Sequence, residues 1–191
     1  ISFSEGQDVK AGQTLVELDS AILAAELKQA DAEFDLAEST FDRTSELVKR
    51  GAGTVVAQQQ ATAQRVAGKV KVDLARERLE KTRLLAPFDG VVGLRAISVG
   101  AYVNVGQSIV AVTSLDPIKV DFRIPEIYLP SVSVGQKIAV TVDARPGKSF
   151  EGEIYAVDPV IDENGRAIKL RARVANKDRQ LAPGLFARVK I

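Results

Sequence analysis

At 191 residues the chain is long enough for one well-buried core or for two or three small units. It carries 26 Lys and Arg against 25 Asp and Glu, a net charge of +1, so the chain as a whole has no electrostatic footprint for nucleic acid. Cys, His, Met and Trp are all absent. That removes disulfides, thiolate nucleophiles and Fe–S clusters, typical His/Cys zinc sites, soft-metal sites and any Ser-His-Asp triad.

The chain opens on Ile1-Ser2-Phe3-Ser4, which alternates like a strand, and residues 1–19 read as short strands joined by glycine turns. It closes in strand-like sequence at Phe186–Ile191. Both ends read as cut, and an excerpt of a longer protein is expected. No apolar run approaches 18 residues, so no bilayer span is predicted.

Residues 20–82 contain no proline and are rich in Ala, Glu, Gln, Lys and Arg, which predicts helix. Leu23, Leu27, Ala30, Phe34, Ala37, Phe41 and Val48 form a heptad seam with a polar interruption at Thr44. Asp19 or Ser20 is the expected N-cap, and Lys49-Arg50-Gly51 suits a helix C-terminus. Gly51-Ala52-Gly53 is then a tight turn, and Thr54 caps a second helix running to about Thr82.

The second helix carries two stripes of mostly small residues, Ala63-Ala67-Val70-Leu74 and Gly68-Val72-Ala75-Leu79. One stripe can face the first helix and the other a neighbouring molecule. The first helix is net acidic and the second net basic, which favours antiparallel pairing. At about 1.5 Å per residue, a helix of about 29 residues is roughly 43 Å long, so a projecting hairpin is predicted.

An internal repeat brackets the hairpin. Gly6-Gln7-Asp8-Val9-Lys10-Ala11-Gly12-Gln13-Thr14-Leu15-Val16 returns as Gly100-Ala101-Tyr102-Val103-Asn104-Val105-Gly106-Gln107-Ser108-Ile109-Val110. The shared frame is G-x-x-V-x-x-G-Q-x-[LI]-V. Each copy is expected to supply a strand, a turn at Gly-Gln and a second strand, with glycine taking the positive φ that other residues avoid. The simplest reading is one two-fold β-sandwich, split by the hairpin. An antiparallel coiled coil returns the chain to its point of insertion. Beyond Asp116, strands are expected at Ile118–Ile124, Lys137–Asp143, Phe150–Asp158, Ala167–Asn176 and Gly184–Ile191. A helical turn is expected at Glu126–Leu129 and a turn at Asp162–Gly165. The acidic residues of this region show no paired catalytic spacing and read as solvated loop charge. Arg171 and Arg173 alternate with apolar residues and should face solvent or a neighbouring protomer.

The repeat resembles the two halves of a lipoyl or biotinyl carrier domain. Thr82-Arg83-Leu84-Leu85-Ala86-Pro87-Phe88-Asp89-Gly90-Val91-Val92-Gly93 and Val16-Glu17-Leu18-Asp19 are similar to the segments flanking the hairpin in periplasmic adaptors, also called membrane fusion proteins. Leu115-Asp116-Pro117-Ile118-Lys119-Val120 and Leu181-Ala182-Pro183-Gly184-Leu185-Phe186-Ala187 resemble that family's entry into its β-barrel and its late barrel motif.

The resemblance implies an elongated multidomain protein of mixed α and β class. Its parts are a split lipoyl-like β-sandwich (1–19 and 83–115), an inserted antiparallel α-helical coiled-coil hairpin (20–82) and a small β-barrel (116–191), with a membrane-proximal domain missing. It also implies a non-catalytic subunit in the periplasm of a Gram-negative bacterium, anchored to the inner membrane through parts missing here. Such a subunit joins an inner-membrane transporter of the resistance-nodulation-division (RND) type to a TolC-like outer-membrane channel, in a ring of commonly six. An ATP-driven exporter or type I secretion system is the alternative partner. No metal, cofactor or nucleic acid is expected.

Family members carry Arg, Leu and Ser near the hairpin tip, spaced four and then seven, which engage the channel. Here Arg43, Leu47 and Thr54 keep that spacing, with Thr in place of Ser. Gly51 and Gly53 form the hairpin turn; Gly6, Gly12, Gln13, Gly100, Gly106 and Gln107 form the lipoyl-like turns. A carrier module would need a lysine at the hairpin joining its two halves. That place is occupied by residues 20–82, and Lys10 lies in the wrong strand, so lipoylation or biotinylation is not expected.

Overall fold

The absence of proline and the run of strong helix formers through residues 20–82 give two long helices in the computed structural model, which describes residues 1–162 and 166–191. The strands are β1 (Asp8–Val9), β2 (Thr14–Glu17), β3 (Arg83–Leu85), β4 (Gly90–Val92), β5 (Val112–Thr113), β6 (Ile118–Pro125), β7 (Lys137–Val142), β8 (Phe150–Asp162), β9 (Ala167–Val174) and β10 (Ala187–Lys190). The helices are α1 (Ala21–Lys49) and α2 (Val55–Glu80). The chain divides into two compact units, one of residues 1–4 and 11–87, the other of 5–10 and 88–191.

The first unit holds both helices and the antiparallel β2–β3 pair, in which Val16 lies opposite Leu84 and a bulge separates it from Thr14. α1 starts after Ser20, whose side chain caps nothing; the Asp19 carboxylate accepts the Ala21 N–H at 3.1 Å instead. The helices run antiparallel, since Glu33 pairs with Lys71 at 3.0 Å and Glu38 with Arg65 at 3.1 Å. Ala30, Val72 and Ala75 are buried between them, with Leu27 and Phe34 packed alongside.

Gly68 faces Phe34 so closely that a Cβ there would lie 3.3 Å from the Phe34 Cα. Of the two stripes on α2, Gly68-Val72-Ala75 is therefore the one buried against α1, while Ala63, Ala67, Val70 and Leu74 are exposed. The charge division between the helices is used in the pairing. Besides its ion pair, Arg65 sits over the Phe41 ring at 4.9 Å. Gln29 and Lys71 both donate to Glu33 and hold its carboxyl below the usual range. At Thr44, the break in the seam, the hydroxyl donates to the Thr40 carbonyl at 2.7 Å and so satisfies itself within its own helix.

In the second unit, β1, β4 and β5 form an antiparallel sheet with β4 in the centre. The other sheet runs β10–β7–β8–β9–β6, all antiparallel. Its two edge strands contribute to one core, Ile118, Ile124 and Val120 from β6 and Ala187 and Val189 from β10, so the sheet is rolled nearly into a barrel. Strict alternation on β9 drives this: Ile168, Leu170, Ala172 and Val174 are buried, while Lys169, Arg171 and Arg173 are exposed. The expected helical turn is a short 3-10 helix, Glu126–Ser131. The turn expected at Asp162–Gly165 involves residues 163–165, which lie outside the described residues.

Three expectations need correction. The second repeat copy, Gly100–Val110, forms no strands; it is a loop whose C-terminal end is tied back to the chain after β4 by Ala96 N–H to Ile109 O and Gly93 N–H to Ala111 O, both 2.8 Å. Ile1–Ser4 is likewise not a strand, although Ser2 N–H donates to Leu15 O at 2.8 Å. Finally, the barrel's acidic residues are not simply loop charges. Asp121 on β6 accepts two bonds from Arg171, 2.6 and 2.8 Å, which hold its carboxyl below the usual range. Arg173 approaches Glu153 at 3.5 Å. Arg171 and Arg173 are exposed as expected, but each is engaged within the sheet.

Candidate functional site

The hairpin tip is built from the end of α1, a glycine turn and the start of α2. Arg50 closes α1 through its backbone N–H to Glu46 O, and its guanidinium folds back on the Glu46 carboxylate at 2.8 Å. Gly51 takes φ +75°, a left-handed conformation that ends the helix and lets Ala52 N–H reach Leu47 O at 2.9 Å.

Gly53 is needed for a different reason. A Cβ there would lie 2.8 Å from Val48 Cγ2 and 2.9 Å from the Val48 nitrogen, so the chain can cross the end of α1 only without a side chain. Thr54 is extended, and its hydroxyl accepts the Ala57 N–H at 3.1 Å as the N-cap of α2.

Arg43 and Leu47 lie one turn apart on α1, both exposed, Leu47 by 45%. The turn brings Gly53 against Leu47 and Val48, and Thr54 follows directly. Sequence reading missed Val55 and Val56, which open α2 with 63% and 72% exposure. The tip thus presents three large aliphatic side chains, Leu47, Val55 and Val56, with Arg43 and Lys49 also exposed on the last turns of α1. Two adjacent valines opening a helix whose residues 57–65 then carry no large apolar side chain were the available signal.

Thr54→Ala removes the cap acceptor and should cost the hairpin about 1 kcal/mol. Thr54→Ser, which keeps the acceptor, should be nearly neutral in the same thermal melt followed by helical circular dichroism.

The repeat turns share their backbone. Gly6, Gly12, Gly100 and Gly106 have φ of +79°, +81°, +85° and +84°, so equivalent positions in the two copies make the same left-handed bend. The glutamine has a role of its own. The Gln107 side-chain oxygen accepts the Asn104 N–H at 3.0 Å, while the Gln107 backbone N–H donates to Asn104 O at 3.1 Å. Gln136, after Gly135 in the barrel, does the same with Ser133. In the first copy the Gln13 carbonyl accepts the Ala86 N–H at 2.9 Å, linking the turn to the return strand from the hairpin.

Among the described residues no helix is long and apolar enough to cross a membrane. Residues 1–115 match the family of the RND MFP barrel-sandwich hybrid domain, and residues 117–191 match the CusB-like beta-barrel domain. The multidrug resistance protein MdtA of Yersinia enterocolitica is 34% identical over an alignment that covers 100% of this chain and 49% of MdtA. A protein of Haemophilus influenzae is also 34% identical, over 97% of this chain and 49% of its own length. The chain spans about half the length of the curated relatives it matches.

Among solved structures, a MacA–MexA chimeric protein containing the Pseudomonas aeruginosa MexA alpha-hairpin domain superposes with a TM-score of 0.83 at 26% identity, covering 99% of this chain and 70% of the chimera. ZneB from Cupriavidus metallidurans gives 0.57 at 26% identity, covering 98% and 60%. With both halves of the chain matched in order, it belongs to the membrane fusion protein family of RND efflux systems.

Proposed function

We propose that this chain is the central part of a periplasmic adaptor that bridges an inner-membrane RND transporter and a TolC-like outer-membrane channel, and that it performs no catalysis itself. The observation that carries this reading is the hairpin tip. Gly53, where a Cβ would clash with Val48, brings the turn against Leu47, Thr54 follows it directly, and Arg43 is exposed one helical turn before Leu47; the three keep the sequence spacing that the resemblance associates with channel contact, which supports this reading.

In this reading residues 20–82 are the channel-facing hairpin, 1–19 and 83–115 are the two halves of a lipoyl-like domain, and 116–191 are the barrel on the transporter side. Several copies, six by analogy with the family, surround a conduit in the periplasm. Anchoring to the inner membrane is the task of other parts of the full-length protein. Export itself is driven by the transporter.

The test is photo-crosslinking in Gram-negative cells, with the full-length protein carrying a benzophenone amino acid at Leu47 or Val56. Arg78, exposed near the base of α2, is the control position. The tip positions should crosslink to an outer-membrane channel and Arg78 should not. A folded, expressed protein that gives no channel adduct from either tip position would remove the docking assignment.

A further inference from the structure

We infer that Asp8 and Arg179 form an ionic latch that sets the angle between the β1–β4–β5 sheet and the barrel. The two residues are 171 positions apart, Asp8 on β1 and Arg179 in the turn that follows β9. The guanidinium meets the carboxylate in a two-pronged arrangement, Nη1 to Oδ2 at 3.0 Å and Nη2 to Oδ1.

The joint between these two parts is built asymmetrically. On the barrel side the connecting segment is riveted down by Asn176, which is 4% exposed. Its Nδ2 donates to Leu115 O at 2.8 Å and Leu181 O at 2.9 Å, and its Oδ1 accepts the Leu181 N–H at 3.0 Å. Its backbone N–H donates to the Asp116 carboxylate at 2.8 Å. Leu115 and Asp116 therefore move with the barrel, and the pivot is left to Ser114, between them and the end of β5 at Thr113.

Among the described residues the barrel's apolar core draws nothing from β1, β4 or β5. A cleft of about 550 Å³ lies at the joint, lined by Asp8, Lys10 and Asp89 from the sheet side and Asp116, Lys177 and Arg179 from the barrel side. The Asp8–Arg179 pair spans it. A joint closed by packed apolar side chains would be fixed; one closed by a solvated ion pair can open and reclose. Both side chains are more than half exposed, 63% for Asp8 and 52% for Arg179, so the contact is weak and reversible.

Arg179 is also preset for this contact. Its φ is +52°, in the left-handed region that a few per cent of non-glycine residues occupy. The turn is closed by Arg179 N–H to Asn176 O at 2.9 Å, so the residue that aims the guanidinium is tied to the one that rivets the linker. This inference concerns the joint alone and does not depend on what the hairpin contacts.

The native chain has no cysteine, so two introduced thiols are unique labelling sites. Leu94→Cys, 81% exposed just beyond β4, and Arg145→Cys, in the turn after β7, are spin-labelled and their distance distribution measured in the intact chain. The parent should give a distribution with a predominant narrow population at low salt and lose that population near 1 M salt, where the screening length falls to roughly 3 Å. Asp8→Asn, Arg179→Gln and Arg179→Gly should each lose the narrow population already at low salt, and the double exchange Asp8→Arg with Arg179→Asp should restore it.

Arg179→Gly separates a latch from a structural strut, because glycine adopts the same φ without strain. Its melting temperature should not fall. Unchanged distributions in the single variants overturn the latch. So does broadening that appears only together with a lower melting temperature, and so does an exchanged pair as broad as the single variants.

Discussion

Ile154→Ala should lower the barrel's unfolding free energy by about 2–5 kcal/mol, the range for truncating a fully buried aliphatic side chain. Ile154 is 0% exposed, in the middle of β8, the central strand of the rolled sheet. Its backbone is held on one side by Gln136 and Gly135 and lies opposite Ala172 on the other. With hydrogen-bonded strands on both flanks, the walls cannot collapse into the space left by the lost atoms, which puts the cost toward the upper part of the range.

Val160→Ala on the same strand is the comparison. Val160 is 70% exposed, and its truncation should stay within about 0.5 kcal/mol. Urea unfolding followed by tertiary fluorescence or near-ultraviolet dichroism should show a lower midpoint for Ile154→Ala at unchanged slope. Equal midpoints for the two variants would mean that the barrel core is not where the alternation on β8 and β9 places it.

The elements that could be read from the sequence were those whose signal is local. The seam from Leu23 to Val48 predicted α1, and every one of its residues is at least half-buried. The cap at Thr54 and the left-handed Gly51 follow from residue chemistry alone and are found as expected. Alternation on β9 was equally readable.

What failed was pairing. The second repeat copy has the composition of two strands, yet a strand needs a partner in register, and Gly100–Val110 makes only isolated backbone bonds. Asp121 and Arg171 are 50 residues apart, so nothing short of the β6–β9 register reveals that they meet. Asn176 looked like the end of a strand and is a buried hub whose five bonds tie it to Leu115 and Asp116 on one side and to Arg179 and Leu181 on the other. Arg179 gave no turn signal at all, because arginine is not a residue that favours positive φ.

At the tip, the residue types were readable and the reasons partly so. Gly53 is expected from the sequence simply as a residue of the hairpin turn. It is required instead because the Val48 backbone and side chain occupy the place of its Cβ.

The same distinction makes Gly90→Ala the second large effect, at about 2–4 kcal/mol from the sheet it disrupts. Gly90 does not have positive φ, so conformational preference does not explain it. It lies opposite Val9 on the central strand β4, and a Cβ would be placed 2.6 Å from the Thr113 carbonyl oxygen and 3.1 Å from Val112 Cγ1. The obstacle is backbone, which cannot rotate away as a side-chain end can. β5 must therefore retreat, and the pairs Val91 with Thr113 and Val92 with Val112 go with it.

Two other glycines calibrate the claim. Gly93→Ala meets only the Ala111 oxygen at 3.4 Å and should be tolerated. Gly100→Ala has open space but φ +85°, and should cost only the left-handed penalty of about 1–2 kcal/mol. Thermal unfolding of the three variants should rank Gly90→Ala lowest, then Gly100→Ala, then Gly93→Ala near the parent. Amide exchange should quicken on β4 and β5 in Gly90→Ala and not in Gly100→Ala. If Gly90→Ala melts with Gly93→Ala, then β4 and β5 are not in the close contact that makes glycine necessary at position 90.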